Sequence, residues 1–300
     1  MKLTTVIYKI IKKAIRLTPF KKSLFSGIKL FGIPPKKIRR ELKFTGVFKV
    51  VIGKSSFQLM NYNFDKFTLE NDVFWFGRKG WEPESINLWV KLSSESKIIL
   101  DIGANTGIYS LISAAIAPTA TIYSFEPVDR IYDKFQKNIL INKFSTIHAE
   151  KIALSDKNDF AILYDFVEDI PLNATLNSCW HSESSARVEK KIETKRLDLF
   201  IEENHILNID LMKIDVELHE PQVLRGMGKY LVQFQPSLLI EIFNEDMWNH
   251  LQDIIKDLNY QIFYIDDLKG ARRINRFEIF DGYNFLFCNE ETAKRIFSDK

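Results

Sequence analysis

Ile98-Ile99-Leu100-Asp101-Ile102-Gly103-Ala104-Asn105-Thr106-Gly107 is the stretch that decides the fold. Three consecutive apolar residues without polar alternation suit a strand buried on both faces. The glycines that follow have separate uses. Gly103 permits a tight turn with close backbone approach, and Gly107 lets the next helix pack near the strand. Asp101 puts a carboxylate beside that turn, where it can meet an ammonium group directly or through water. The same charge sits badly beside a pyrophosphate. The spacing Gly-x-x-x-Gly also departs from the Gly-x-Gly-x-x-Gly of dinucleotide sites. A nicotinamide-dependent oxidoreductase on a Rossmann-like fold therefore remains only as an alternative.

Downstream, the pattern predicts a helix over 107–117, a strand over 121–125, a helix over 128–141 and a strand near 146–149. After a less regular stretch come a strand over 209–214, a helix from Pro221 and a strand over 238–242. A helix near 247–258 leads to strands over 261–265 and 283–287, separated by a non-helical insert. Alternation of this kind implies an α/β, Rossmann-like, doubly wound and mostly parallel sheet, with an antiparallel edge strand. Upstream, Pro83 suits the first turn of a helix over 83–92. Residues 44–77 read as extended: a hairpin around Gly53-Lys54-Ser55-Ser56, then an aromatic run through Phe64, Phe67, Val73, Phe74 and Trp75.

Residues 1–43 carry thirteen Lys or Arg against Glu41 alone, a net +12, whereas the whole chain is +3. The remainder is thus acidic, at −9. Leu3, Val6, Ile7, Ile10, Ile11, Ala14 and Ile15 form one helical stripe, with lysines mainly opposite. Such a helix either lies on an anionic membrane or packs against protein. This gives a domain division into a basic amphipathic segment (1–43), a β-rich extension with a lead-in helix (44–92) and a main domain (93–300). A membrane-associated, non-catalytic module is a second alternative. No apolar run reaches the roughly 18 residues of a membrane span. No helix-turn-helix, zinc-finger or RNA-binding aromatic motif is present, so no nucleic-acid partner is expected. Cys179 and Cys288 lie far apart with no metal-type spacing, which points to a reducing compartment. The expected location is cytoplasmic, peripheral at the inner membrane surface if residues 1–43 meet lipid. Oligomeric state is not encoded legibly.

Phe125-Glu126-Pro127 closes the second core strand, where a carboxylate can accept from both hydroxyls of a ribose. With the loop at Asp101, these blocks resemble the FkbM-type methyltransferases, a branch of the class I S-adenosylmethionine-dependent enzymes. The resemblance runs over about residues 80–242. It also rests on Ala153-Leu154-Ser155-Asp156, Leu197-Asp198-Leu199, Lys213-Ile214-Asp215-Val216-Glu217, His219-Glu220 and Leu224-Arg225-Gly226. One departure is Leu218, where the family usually places glycine. The resemblance implies S-adenosylmethionine as cofactor and O-methylation of a small-molecule or carbohydrate acceptor, such as a sugar, glycan precursor or secondary metabolite. The cofactor-binding set is then Asp101, Gly103, Ala104, Asn105, Gly107, Tyr109, Glu126, Pro127 and Asp215, with Ser155 and Asp156 bordering the adenine.

Methyl transfer to a hydroxyl requires in-line alignment and loss of a proton near the transition state. Asp215 ends a core strand and is the leading catalytic candidate. If the following loop is extended, Glu217 and His219 point the same way and offer a base or an orienting partner. The same three residues could bind a divalent metal, but none is expected, because carboxylates and a histidine also cluster without one. Equally, Glu217 and Glu220 suit the start of a helix, and His219 suits a cap. Glu241, at the end of the next strand, shares the rim. Trp180 and His181 lie in an irregular polar stretch that is a candidate for covering the substrate, with His181 an alternative base.

Overall fold

The computed structural model describes residues 20–39, 42–62, 69–166 and 187–297. The stripe from Leu3 to Ile15, Phe64, Phe67, Cys179, Trp180 and His181 lie outside them. The chain separates into two units, Met1–Trp81 and Glu82–Lys300.

The first unit contains helices α1 (Lys21–Phe31) and α2 (Lys36–Arg39), strands β1 (Gly46–Ile52) and β2 (Ser55–Asn61), and helix α3 (Leu69–Phe76). The expected hairpin forms, with Ile52 opposite Ser55 across Gly53-Lys54 and Gly53 at φ +58°. Alternate β1 residues Phe48, Val50 and Ile52 are buried. The expectation of extended chain through 73–75 is corrected, because Val73, Phe74 and Trp75 lie on α3. Aromatic residues favour strands locally, but packing overrides that preference. Phe74 meets Phe44 and Phe48 edge-on, with ring centroids 4.6 and 5.4 Å apart.

The second unit begins with α4 (Pro83–Ser93), β3 (Ile98–Ile102), α5 (Ile108–Ile116), β4 (Thr121–Phe125), α6 (Asp129–Asn142) and β5 (Ile147–Glu150). Next come β6 (Ala153–Ser155), β7 (Asp159–Phe166), β8 (Arg187–Arg196), α7 (Leu197–Glu203), β9 (Leu211–Ile214), α8 (Glu220–Met227) and α9 (Lys229–Phe234). The unit closes with β10 (Ser237–Glu241), α10 (Glu245–Ile255), β11 (Gln261–Asp266), β12 (Gly270–Ile274), β13 (Asn284–Cys288) and α11 (Glu290–Phe297).

Eight of these strands form one sheet in the order β12-β11-β13-β10-β9-β3-β4-β5. Pairings from β5 to β10 are parallel; β13 is antiparallel to both β10 and β11, and β12 is antiparallel to β11. This is the doubly wound α/β sheet expected. The insert before β13 supplies the edge strand β12, which pairs with β11, and β13 lies inside the sheet between β11 and β10. The stretch that reads as irregular also holds order: β6, β8 and β7 make a separate three-stranded sheet. Leu100, Met212, Ile214, Leu238 and Ile240 have no appreciable exposure. Each such side chain stabilises the fold by about 1.5–3 kcal/mol relative to leaving it in water. Trp89 joins α4 to α5, donating from Nε1 to the Tyr109 carbonyl (3.1 Å) and Ser113 Oγ (2.8 Å).

Candidate functional site

The chain runs outward from β3 to β4 and β5, then returns to β9 and β10 on the other side of β3. Strand order therefore reverses between β3 and β9, and ligands of such sheets bind beyond the carboxyl ends at that point. Two loops meet there, 103–107 after β3 and 215–219 after β9.

In the first loop, Gly103 (φ +81°) and Ala104 donate their N–H groups to the Phe125 carbonyl at 3.0 and 2.9 Å. A Cβ on Gly103 would lie 1.8 Å from the Asp215 carbonyl oxygen, and one on Gly107 (φ +91°) 2.1 Å from the Phe135 ring. Both positions thus require glycine, as the sequence implied. Asp101 is buried at the base, where its Oδ2 accepts from Ser110 N at 3.0 Å and from Ser110 Oγ. Burial, partly offset by those bonds, pushes its pKa up to about 6. Glu126 is buried as well. Its Oε2 accepts from Asn105 N (3.0 Å) and its Oε1 from Val128 N (2.9 Å), so one carboxylate ties the loop after β3 to the connection after β4. Burial raises it to about 7. A carboxylate has about four acceptor positions, so capacity for further donors remains. Pro127 follows, partly exposed, and Asn105 itself adopts φ +52°.

Beyond β9, charge is concentrated. Lys213 is almost wholly enclosed, its Nζ 3.2 Å from Asp215 Oδ2, 3.9 Å from Glu241 Oε1 and 5.2 Å from the Tyr109 ring centre. Burial would lower its pKa, but Asp215, Glu241 and Glu82 outweigh that and raise it above the ordinary lysine range. Asp215 retains 32% side-chain exposure against 12% for Glu241, so it is the more open carboxylate of the pair. Desolvation raises Glu241 well above its usual range, and Asp215 adds to that. Tyr109 donates its hydroxyl to Glu82 Oε2, and Asn284 also bonds the Glu82 side chain. Asn284 arrives because β13 pairs antiparallel with β10, setting it opposite Glu241.

The second loop is not extended, which corrects the alignment expected of Asp215, Glu217 and His219. Glu217 (φ +54°) and Leu218 (φ +75°) are consecutive left-handed residues that turn the chain. Glu217 stays within the field of Asp215; burial first, and that repulsion second, push its pKa up to about 8. His219 turns away, its Nε2 hydrogen-bonded to Ser155 Oγ at 2.9 Å. Burial lowers its pKa, so the ring is neutral at neutral pH. Ser155 and Asp156 lie at the end of β6, where a Cβ on Gly226 of α8 would come 2.0 Å from the Ser155 carbonyl oxygen. Glu220 is fully buried, with Oε1 accepting from Val216 N at 3.0 Å and Oε2 without a partner. Burial pushes it to about 8.

Sequence reasoning missed Glu82 and Asn284, and gave Lys213 no part in the site. A lysine inside Leu211-Met212-Lys213-Ile214 carried a usable signal, since a charge in an apolar strand demands partners. Glu82 and Asn284 carried none, being brought in only by tertiary packing. Among the described residues, no group of three or more His, Cys, Asp or Glu is placed to hold a metal ion.

Residues 101–262 match the family model of the methyltransferase FkbM domain. The chain is 28% identical over 163 residues to Methyltransferase 1 of Beauveria bassiana, covering 49% of this chain and 65% of that protein. It is 28% identical over 159 residues to 31-O-demethyl-FK506 methyltransferase FkbM of Streptomyces tacrolimicus (43% and 59%). It is 26% identical over 161 residues to Hexuronic acid methyltransferase AglP of Haloferax volcanii (54% and 62%). The match thus spans less than two thirds of the length of each of these relatives. The family model covers more than half of the chain and begins on Asp101, which places this chain in the FkbM family of S-adenosylmethionine-dependent methyltransferases.

Proposed function

We propose that this chain transfers the methyl group of S-adenosylmethionine to a hydroxyl oxygen of a small-molecule or carbohydrate acceptor, with Asp215 receiving the hydroxyl proton. The observation that carries this reading is the Asp215 carboxylate. It ends β9 at the reversal of strand order, is one-third exposed, and is anchored on one oxygen by buried Lys213. A base must be both oriented and reachable, and Asp215 combines the two.

The residues around the first loop fit the cofactor. Gly103 and Gly107 keep the strand end free of side chains, and Asp101 offers an acid beside the turn for an ammonium group. Glu126 and Pro127, at the next strand end, suit a ribose, with Ala104 and Asn105 lining the turn between. Ser155 and Asp156 suit the adenine edge, and Tyr109 would line the cofactor side of the Lys213 and Glu82 cluster that it contacts. When bound, the cofactor supplies an electrophilic methyl on a sulfonium centre. Lys213 fixes the carboxylate of Asp215, while Glu82 and Glu241 surround that ammonium so that it stays in place. Glu217 adds a hydrogen-bonding group on the acceptor side, and neutral His219 serves position through Ser155. The catalytic residues lie within 93–300, to which Glu82 adds a tyrosine-bonded carboxylate. Relatives named as methyltransferases of 31-O-demethyl-FK506 and of hexuronic acid support a sugar or secondary-metabolite hydroxyl.

Calorimetric titration with S-adenosylmethionine, its demethylated product and NAD tests the cofactor. Binding of the first two without NAD is expected, and NAD binding alone would refute the proposal. In an acceptor screen, Asp215→Asn should retain cofactor binding while losing about 10²–10⁴-fold in rate. Unchanged turnover would remove Asp215 as base.

A further inference from the structure

In α1 only Phe25 is buried, packed on Phe44 and Trp75. The helix nonetheless carries large apolar groups on its outer side: Phe20 is 75% exposed, Leu24 42%, Leu30 86% and Phe31 95%. Phe20, Leu24 and Phe31 fall four and seven residues apart, so they form one stripe, with Leu30 beside it. Ile33 and Ile38 continue the exposed apolar surface. Scattered exposed leucines are ordinary, but a contiguous group marks an interaction site.

Residues 20–39 contain no Asp or Glu. Lys29 and Arg39 are engaged within the unit, Lys29 on the Phe74 carbonyl and Arg39 on the Pro34 carbonyl and Asp72 of α3. Lys21, Lys22, Lys36 and Lys37 are the other cations beside the apolar group. Protein partners generally present both signs, whereas a run of cations without acids matches a uniformly anionic surface. Phosphate backbones of nucleic acids are anionic too, but leucine and isoleucine gain nothing there; in lipid they do. We propose that residues 20–38 dock on an anionic lipid bilayer, with Phe20, Leu24, Leu30 and Phe31 entering the boundary between headgroups and acyl chains and Lys21, Lys22 and Lys37 meeting the headgroups. The contact lies on the surface, since no helix among the described residues is long and apolar enough to cross a membrane.

Co-sedimentation of the full-length protein with phosphatidylcholine vesicles, with and without phosphatidylglycerol, tests this. The protein should pellet with the phosphatidylglycerol vesicles, weakly or not at all with phosphatidylcholine alone, and less as salt shortens the screening length. A Phe20→Ser/Leu30→Ser/Phe31→Ser variant replaces outward-facing side chains only. Its partitioning should fall at least about tenfold at unchanged melting temperature. Lys21→Gln/Lys22→Gln/Lys37→Gln should reduce it several-fold per charge. Failure to pellet with either vesicle overturns the proposal. So does undiminished pelleting of the serine variant, which would assign the contact elsewhere in the chain. Self-association abolished by the serine variant, without vesicle binding, would make the occupant a second copy. Cofactor binding is measured separately, so this proposal and the methyl-transfer proposal fail independently.

Discussion

The loops after β3 and β9 lie side by side at the reversal of strand order, yet they turn by opposite means. The first uses glycine at the left-handed positions 103 and 107 and, at 105, asparagine, which tolerates that region through its short polar side chain. Both carboxyl oxygens of Glu126, which brace it, have an N–H donor. The second places Glu217 and Leu218 at left-handed angles and leaves Glu220 Oε2 buried without a partner. A left-handed non-glycine residue costs roughly 1–2 kcal/mol, and a buried, unpartnered acceptor about 1–3 kcal/mol. One loop is thus relaxed and the other is held by its surroundings. Strain held in this way clusters at functional sites, and Asp215 begins the strained loop.

The largest effect should come from removing what makes the first loop relaxed. Gly103→Ala drives a methyl group into the Asp215 carbonyl and forces an unfavourable φ. Loss of cofactor binding and of about 3 kcal/mol or more in stability is expected, read by calorimetry and denaturant unfolding. Wild-type affinity would mean that the two loops do not touch as described.

Lys213→Met comes next. It strips the cation from Asp215, Glu241 and Glu82 at once, and breaking a buried pair costs on the order of 3–5 kcal/mol. Urea unfolding measures this; a change below about 1 kcal/mol would show the cluster to be hydrated and its charges weakly coupled.

Glu220→Gln tests the second loop through pH. The folded pKa of Glu220, about 8, lies above its ordinary 4.5, so the folded state holds the proton that the unfolded state releases. Stability from this group is therefore complete below pH 4.5 and declines as pH rises towards 8. The glutamine variant should flatten that decline by on the order of 5 kcal/mol. Melting curves of both proteins across the window decide it, and parallel curves would place the titration elsewhere.

Leu218→Gly should give the smallest change. Relief of the left-handed strain is offset by loss of the partial packing of Leu218 on the core. A net shift under about 1 kcal/mol follows. A shift above about 2 kcal/mol in either direction, measured by denaturant unfolding, would show one of the two contributions to be absent.

The same contrast explains what could be read from the sequence. Strands β3, β4, β9 and β10 are short apolar runs with helices between them, and the first loop announces itself through glycines. The second loop contains no glycine, and its turn was hinted at only by Leu218 standing at the family's usual glycine position, so an extended chain looked reasonable. Strand β8 went unread because Arg187–Arg196 is rich in charge, and β7, although Phe160–Tyr164 is apolar, stands in a stretch whose flanks are polar and irregular in pattern. Phe74 and Trp75 misled in the other direction, as β-favouring residues recruited to a helix by an aromatic cluster. Within the site, Asp101, Glu126 and Asp215 follow from position at strand ends. Glu82 and Asn284 are separated by 202 residues and share a hydrogen bond only because β13 runs back along β10.

Lys213 also bears on how β9 finds its place. All four residues of Leu211–Ile214 are buried, and a strand covered on both faces has little apolar–polar alternation to fix its alignment. Sliding β9 by one residue between β3 and β10 would exchange one apolar side chain for another almost everywhere. At Lys213, however, the slip would carry an ammonium from its carboxylates to the apolar face of the sheet. The cation therefore makes neighbouring alignments expensive and leaves one arrangement of the central strands accessible as the chain folds.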